Sequence, residues 1–409
     1  MKAPPCFKQI IPQDQAILMR TSAPLPTQTV WAVLVIVWTS HCPASTPGER
    51  LAPFMRPITE FATERAPLRS PLLFDDGRVG RSSADWAGRR QEIKSHWMRA
   101  LGEWPPELEK ARMETIMETE EPLYTRRRVR VEIASERFEE GWLLIPKGAG
   151  QHPAVLVPFY EPETSIGFGD KEHRDYARKL AERGFVTLAI GSPGGDARKP
   201  DPRMEGWQPL SFLAYVSANC ANALCTLPEV DGARLGVVGH SYGGKWAMFS
   251  ACLSDKFACA AWSDPGIGFD DTRPSINYWE PWYLGRIEGA QRPPGIPSNS
   301  NPARGPYKTL RGQGHDLHEL QSLMAPRPFF VSGGSEDPPA RWKLLNHVRD
   351  VYALLGFRDR VGMHNRPAHP PTEESMEKVC DFFEHFLKQV PSTPVEQSVH
   401  DKDRSPSGR

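Results

Sequence analysis

The sequence predicts an α/β fold: a mostly parallel sheet with helices on both faces. Three observations carry this expectation. Short apolar runs alternate with helical segments from Pro153 to Val390. One of these junctions, "LGVVGHSYGGKWAMF" from Leu235 to Phe249, runs from an apolar strand through a glycine-flanked turn into a helix. The chain also has 409 residues, 39% of them apolar, enough to bury a large core. Strands separated by helices cannot be joined by tight hairpins, so they pair in parallel, and the crossovers cover the sheet.

The elements follow in order. Residues 45–120 read as a Pro-, Arg- and Ser-rich lead-in with one helix, "SADWAGRRQEIKSHWMRALG". That helix has a serine start signal and Gly102 as a stop, and Trp86, Ile93, Trp97 and Leu101 lie on one face as packing residues. A catalytic domain is expected over 121–390. It begins with "TRRRVRVEIAS" and "EGWLLIPKG" as two strands of a hairpin. "PAVLVPFY" is the next strand, Lys171 to Arg183 a helix, "FVTLAI" a strand and Phe212 to Leu227 a helix. "RLGVVG" then leads into the glycine-flanked turn, and the following helix leads to the strand "ACAAWS". An irregular insertion, about 265–314, precedes a helix around His318 to Met324. The strand "PFFVSGG", a helix from Ala340 to Leu355, the strand "RVGMH" and a last helix from Glu373 to Val390 complete the domain. The polar tail 391–409 reads as disordered.

Composition narrows function mainly by exclusion. Fifty basic and fifty acidic side chains give no net charge, so nothing in the whole-chain charge points to nucleic acid or an anionic membrane surface. The seven cysteines show no zinc spacing. Residues 1–44 read as a secretory signal. Val30 to Trp38, "VWAVLVIVW", is an apolar core preceded by Arg20, and Cys42 and Ala44 offer a small-x-small cleavage site. The run is too short to span a bilayer, so export without stable membrane insertion is expected. Initiation at Met19 would give a signal of more ordinary length.

The chemistry centres on Ser241. Glycines two residues to either side, Gly239 and Gly243, suit a sharp strand-to-helix turn that lifts the hydroxyl above the sheet and aims the first helical N–H groups at the same spot. A serine hydroxyl needs a base, and the base needs a carboxylate to orient it. In the α/β-hydrolase fold these follow the serine in the order acid, then histidine. His369, in the loop before the last helix, is the expected base, whereas His364 sits at a strand end. For the acid, Asp337 in "FFVSGGSEDPP" is the first choice and Asp264 in "WSDPG" the alternative, with Glu336 behind them. Backbone N–H of Tyr242 is the expected first oxyanion donor. The second would come from Tyr160 or Phe159, since the HGG often found after that strand is absent.

The blocks "GHSYGGKW", "SDPG" and "HDLHELQSLMAPRPFFVSGGSED", with the late His369, resemble α/β-hydrolases of the carbohydrate-esterase kind. Glucuronoyl esterases and their acetyl-xylan-esterase and dienelactone-hydrolase-like relatives are the most similar. The resemblance covers roughly Ser83 to Val390. Gly239, Ser241, Gly244 and Lys245 match the glucuronoyl-esterase pattern G-C-S-R-x-G-K, whereas His240 and Tyr242 depart from it. The resemblance places the acid at Asp264, while the general position of the fold places it at Asp337.

Lys245, Trp279 and Trp282 are candidate substrate contacts, the tryptophans as aromatic platforms in the insertion. His315, Asp316, His318 and Glu319 lack the HExxH spacing, and a structural role is expected of them rather than a metal site. These readings point to an exported serine esterase acting on a small-molecule or polysaccharide ester without a cofactor. A serine peptidase of the prolyl-oligopeptidase type is one alternative, and an inactive binding protein on the same fold is the other.

Overall fold

The structure, a computed structural model, describes residues 45–195, 207–273, 279–285, 287, 292–293 and 295–389. The expected signal sequence and the polar tail lie outside the described residues, as do Tyr278 of the insertion and Val390 at the end of the last helix.

Nine strands form one sheet: β1 (Met113–Glu120), β2 (Tyr124–Ala134), β3 (Arg137–Pro146), β4 (His152–Pro158), β5 (Val186–Ile190), β6 (Val230–His240), β7 (Cys259–Ser263), β8 (Phe329–Gly333) and β9 (Val361–Asn365). Their order is β1-β2-β3-β5-β4-β6-β7-β8-β9. The β1–β2, β2–β3 and β3–β5 pairs are antiparallel and every later pair is parallel. The expected hairpin is β2–β3. The added edge strand β1 was not foreseen: its sequence METIMETE is exposed almost throughout and offers no apolar face to read.

Ten α-helices accompany the sheet: α1 (Pro47–Leu51), α2 (Ser83–Leu101), α3 (Pro162–Ser165), α4 (Tyr176–Ala181), α5 (Pro209–Cys225), α6 (Tyr242–Leu253), α7 (Gly305–Gly312), α8 (Leu317–Ser322), α9 (Trp342–Leu354) and α10 (Glu373–Glu384) among the described residues. The strand pleat divides the core in two. Ala154, Leu156, Phe329 and Val331 face one layer, with α2, α5, α6, α8 and α9. Val155, Val157 and Phe330 face the other, with α1, α4 and α10. The sheet is therefore covered on both faces, as its nearly continuous apolar strands require.

Local signals set the helix limits. A capping box, in which the Ser82 hydroxyl accepts from Asp85 N–H and the Asp85 carboxylate accepts from Ser82 N–H, starts α2, and Gly102 ends it at φ 95°. Helix α4 is shorter than the expected 171–183. Gly169 and His173 hold positive φ, so the chain before Asp175 does not wind. The insertion contains α7 and a turn at Trp279–Leu284, held by a buried ion pair between Glu280 and Arg292 at 2.8 Å.

Candidate active site

Helix α6 begins at Tyr242, directly after the serine at the carboxyl end of β6. Ser241 has φ 55° and ψ −114°, a left-handed conformation that costs a side-chain-bearing residue of order 1–3 kcal/mol. Its N–H donates to Ser263 O at 2.7 Å, which ties the turn to β7. The flanking glycines are needed for space. A Cβ on Gly239 would lie 2.2 Å from Gly243 O, and a Cβ on Gly243 would lie 2.2 Å from Pro158 O. Both obstacles are backbone and cannot rotate away. Gly243→Ala is expected to destabilise the fold by about 1–3 kcal/mol, as overpacking does. Differential scanning fluorimetry checks this, and an unchanged melting temperature would refute the close approach.

Three side chains converge at this point. The Ser241 hydroxyl lies 2.9 Å from His369 Nε2, and His369 Nδ1 lies 2.7 Å from Asp264 Oδ2. A buried carboxylate accepts, so Nδ1 carries the proton and Nε2 is left to accept from the serine. Asp264 is fully buried, whereas about a third of the His369 side chain is exposed.

The expectation that Asp337 lies against His369 is not met; the alternative, Asp264, does. Both aspartates follow neighbouring parallel strands, but the loop after β8 bends its backbone over Asp264. Asp264 Oδ1 accepts from the N–H groups of Gly334 (2.7 Å), Glu336 (3.1 Å) and Asp337 (2.9 Å). The Asp337 carboxylate turns the other way and accepts from Gly266 N–H at 2.8 Å and Ile267 N–H at 2.6 Å. Each loop thus clamps the other. Burial raises the pKa of Asp337, and the negative Asp264 nearby raises it further. Glu336 is paired with Arg273.

Arg366 holds the histidine loop. It donates to the backbone carbonyls of His369 (2.7 Å), Pro370 (2.8 Å) and Ser332 (2.8 Å), and to Ser263 Oγ (3.2 Å). Its only sequence cue was a position three residues before His369 in a proline-flanked loop. His240 packs its ring 4.7 Å from that of His369. Burial, and then repulsion from His369, hold its pKa well below the ordinary imidazole value, so it stays neutral. His364 points elsewhere, edge-on to Phe54 at 5.1 Å.

Tyr242 accepts at its hydroxyl from Ser192 Oγ at 3.2 Å, stacks on Tyr283 at 5.8 Å and lies tilted against Tyr160 at 4.5 Å. Phe159 N–H, one of the two donors considered after β4 for the oxyanion, donates to Ile190 O at 3.0 Å.

Two of the three substrate-contact expectations, Lys245 and Trp279, need correction. Lys245 is 4% exposed; its ammonium donates to Pro265 O and lies 4.3 Å above the Trp279 ring. Trp279 is fully buried between Phe249 and Phe269. Apolar neighbours on both flanks draw these side chains inward. Trp282 is half-buried, edge-on to Tyr283. Burial lowers the Lys245 pKa to about 8, against 10.5 for an exposed lysine, with Asp337, Glu336 and Asp264 opposing the shift. Between those values the unfolded chain holds a proton that the folded chain has lost. Folding stability from this group therefore rises with pH across that window. Wild type should gain stability relative to Lys245→Met between about pH 8 and 10 in paired thermal melts; a pH-independent difference would contradict the burial of a charge there.

Among the described residues, no three metal-ligating side chains form a cluster. His315 pairs with Glu319, which also binds Arg89 at 3.1 Å, and His318 Nε2 donates to Arg69 O at 2.6 Å. These contacts join α8 to the lead-in.

A strand–serine–helix elbow at the carboxyl end of β6, in this sheet order, defines an α/β-hydrolase fold. Comparisons with known proteins agree with that class. No family model matches. The 2,6-dihydropseudooxynicotine hydrolase of Paenarthrobacter nicotinovorans is 28% identical over 140 residues, covering 34% of this chain and 33% of that protein. This chain thus matches only a third of that relative's length. The 4-O-methyl-glucuronoyl methylesterase 1 of Wolfiporia cocos is 23% identical over 368 residues, 78% of this chain and 80% of the relative. Among solved structures, a glucuronoyl esterase from Solibacter usitatus aligns at a TM-score of 0.62 and 18% identity, covering 79% of this chain and 98% of the other. The chain is an α/β-hydrolase-fold protein that resembles carbohydrate esterases in sequence and architecture.

Proposed function

We propose that the protein is an exported serine hydrolase that cleaves carboxylic esters of carbohydrates. The observation that carries this reading is the continuous hydrogen-bonded chain Ser241–His369–Asp264. Ser241 Oγ attacks the ester carbonyl while His369 Nε2 takes its proton. Asp264 holds the tautomer and stabilises the imidazolium, and backbone N–H groups of Tyr242 and Tyr160 receive the oxyanion. His369 then protonates the departing alcohol, and a water activated by the same nitrogen releases the acid.

Carbohydrate as the substrate is supported by the similarity to a glucuronoyl methylesterase along most of both chains. Export rests on the apolar core Val30 to Trp38 and its flanks. No helix among the described residues is long and apolar enough to cross a membrane.

A fluorophosphonate probe tests the mechanism. Mass spectrometry should find a single adduct on the peptide containing Ser241, because only an activated serine reacts. An unlabelled Ser241 in folded protein would overturn the reading. Parallel assays on acetylated xylan, a glucuronoyl ester and an aryl acetate should show hydrolysis of at least one carbohydrate ester above the aryl ester in kcat/KM.

A further inference from the structure

Asp264 holds the His369 imidazole at one atom, Nδ1, and a single hydrogen bond leaves the tilt of the ring unset. A change of tilt carries Nε2 away from Ser241 Oγ. A second path joins nucleophile and base, and it runs through Ser263. Strands β6 and β7 end in register, with His240 opposite Ser263 and both side chains buried. Ser263 O accepts the N–H of Ser241 at 2.7 Å. Ser263 Oγ lies 3.1 Å from His240 Nδ1 and accepts from Arg366 Nη2 at 3.2 Å; the same Arg366 nitrogen donates to His369 O at 2.7 Å. The path closes on the catalytic ring itself, which His240 meets at 4.7 Å between centroids with the planes 41° apart.

We propose that His240 and Ser263 are positioning residues for the reaction, holding the tilt of the His369 imidazole so that Nε2 stays aimed at Ser241 Oγ. The proposal rests on the serine-hydrolase reading above and adds two residues that act through His369 rather than on the substrate.

Geometry and charge both support it. About a third of the His369 side chain is open to solvent, so the buried His240 ring is a wall on its inner side. The bond to Ser263 fixes the plane of that wall, and Ser263 is itself fixed by its place at the end of β7 and by Arg366. An imidazolium forms on His369 in every catalytic cycle, and a second cation beside it would oppose that step. Burial first, then repulsion from His369, Arg366 and Arg174, keeps His240 uncharged. The wall is therefore a neutral aromatic ring, whose face tolerates a neighbouring cation. Precision matters here, because a displacement of about 1 Å at a reacting group can cost about a hundredfold in rate.

Steady-state kinetics of the full chain on an aryl acetate test the proposal. His240→Asn keeps a polar atom for Ser263 but removes the ring. It should lower kcat by about tenfold or more with KM within about twofold, because substrate still binds while the base is misaimed. His240→Phe returns a neutral ring and should bring kcat to within about threefold of wild type. Ser263→Ala should lower kcat in the same way, and adding it to His240→Asn should cost little more, since both changes cut one path. Unchanged kcat in His240→Asn and Ser263→Ala, full additivity of the two, or a folded His240→Phe as slow as His240→Asn overturns the proposal. The wild type offers a check that needs no variant. Nitrogen-15 NMR of its histidines, before and after fluorophosphonate labelling of Ser241, should show two imidazoles responding, one of them neutral across the pH range of activity. A single responding imidazole, or two that both gain a proton in that range, overturns it as well. Labelling keeps the two readings apart: a labelled Ser241 with fully active variants removes the positioning role alone, whereas an unlabelled Ser241 removes the hydrolase reading.

Discussion

Ser241→Ala should lower kcat for an aryl acetate by at least about 10⁴-fold, because it removes the hydroxyl that His369 Nε2 meets at 2.9 Å. The fold should survive. Alanine bears the same left-handed backbone strain as serine at φ 55°, and the N–H bond to Ser263 O that ties the turn to β7 is unchanged. Loss of activity with an unaltered circular dichroism spectrum and melting temperature is therefore the expected pair of results. Turnover near that of wild type would mean that ester cleavage does not pass through this serine.

The second large effect separates the two aspartates. In Asp264→Asn the amide must choose an orientation. Three backbone N–H groups converge on the Oδ1 position, so the amide oxygen goes there and the NH₂ faces His369 Nδ1. Nδ1 must then accept, the proton moves to Nε2, and Nε2 can no longer take the serine proton. The same wrong-tautomer effect in a serine protease costs about 10⁴ in kcat, and a loss of at least about a hundredfold is expected here. Asp337→Asn should cost less than about tenfold in kcat, since that carboxylate bonds Gly266 and Ile267 N–H and pairs with Arg341 at 3.7 Å, and it is Asp264 that bonds His369. It should instead lower the melting temperature, because its NH₂ would meet a buried donor. Steady-state kinetics on both variants decide the matter: if Asp337→Asn is the more severe in kcat, the assignment of the acid to Asp264 is wrong.

Those aspartates also mark where the sequence stops being legible. The sheet could be read because its strands are short apolar runs with helices between them, a pattern set by burial on both faces. Ser241 could be read because its neighbouring glycines serve a local turn, and His369 because it follows the last strand. Choosing between Asp264 and Asp337 depended on how the loop from Gly334 to Asp337 folds over Asp264, which leaves no mark on residue type. Lys245 and Trp279 misled for the opposite reason. A lysine on the helix after the serine and a tryptophan on the insertion look like binding residues until packing shows that they face inward, and packing is not encoded in local order. Arg366 was missed because it acts on carbonyls, and carbonyls leave no trace in a sequence. Strand β1 was missed because an exposed edge strand has no buried face to give it a period.

The joint between α2 and α8 has a consequence for how the molecule comes into being. Arg89 meets its buried partner Glu319 at a separation of 230 positions, Asn346 reaches back to the carbonyls of Phe61 and Glu64, and Trp97 is wholly enclosed. The lead-in therefore has no stable home until the last third of the chain has been made. Contacts this distant in sequence slow folding, since a long loop must close before they form. Under the export proposed above, that delay would keep the stretch after residue 44 threadable until the last third of the chain has been made.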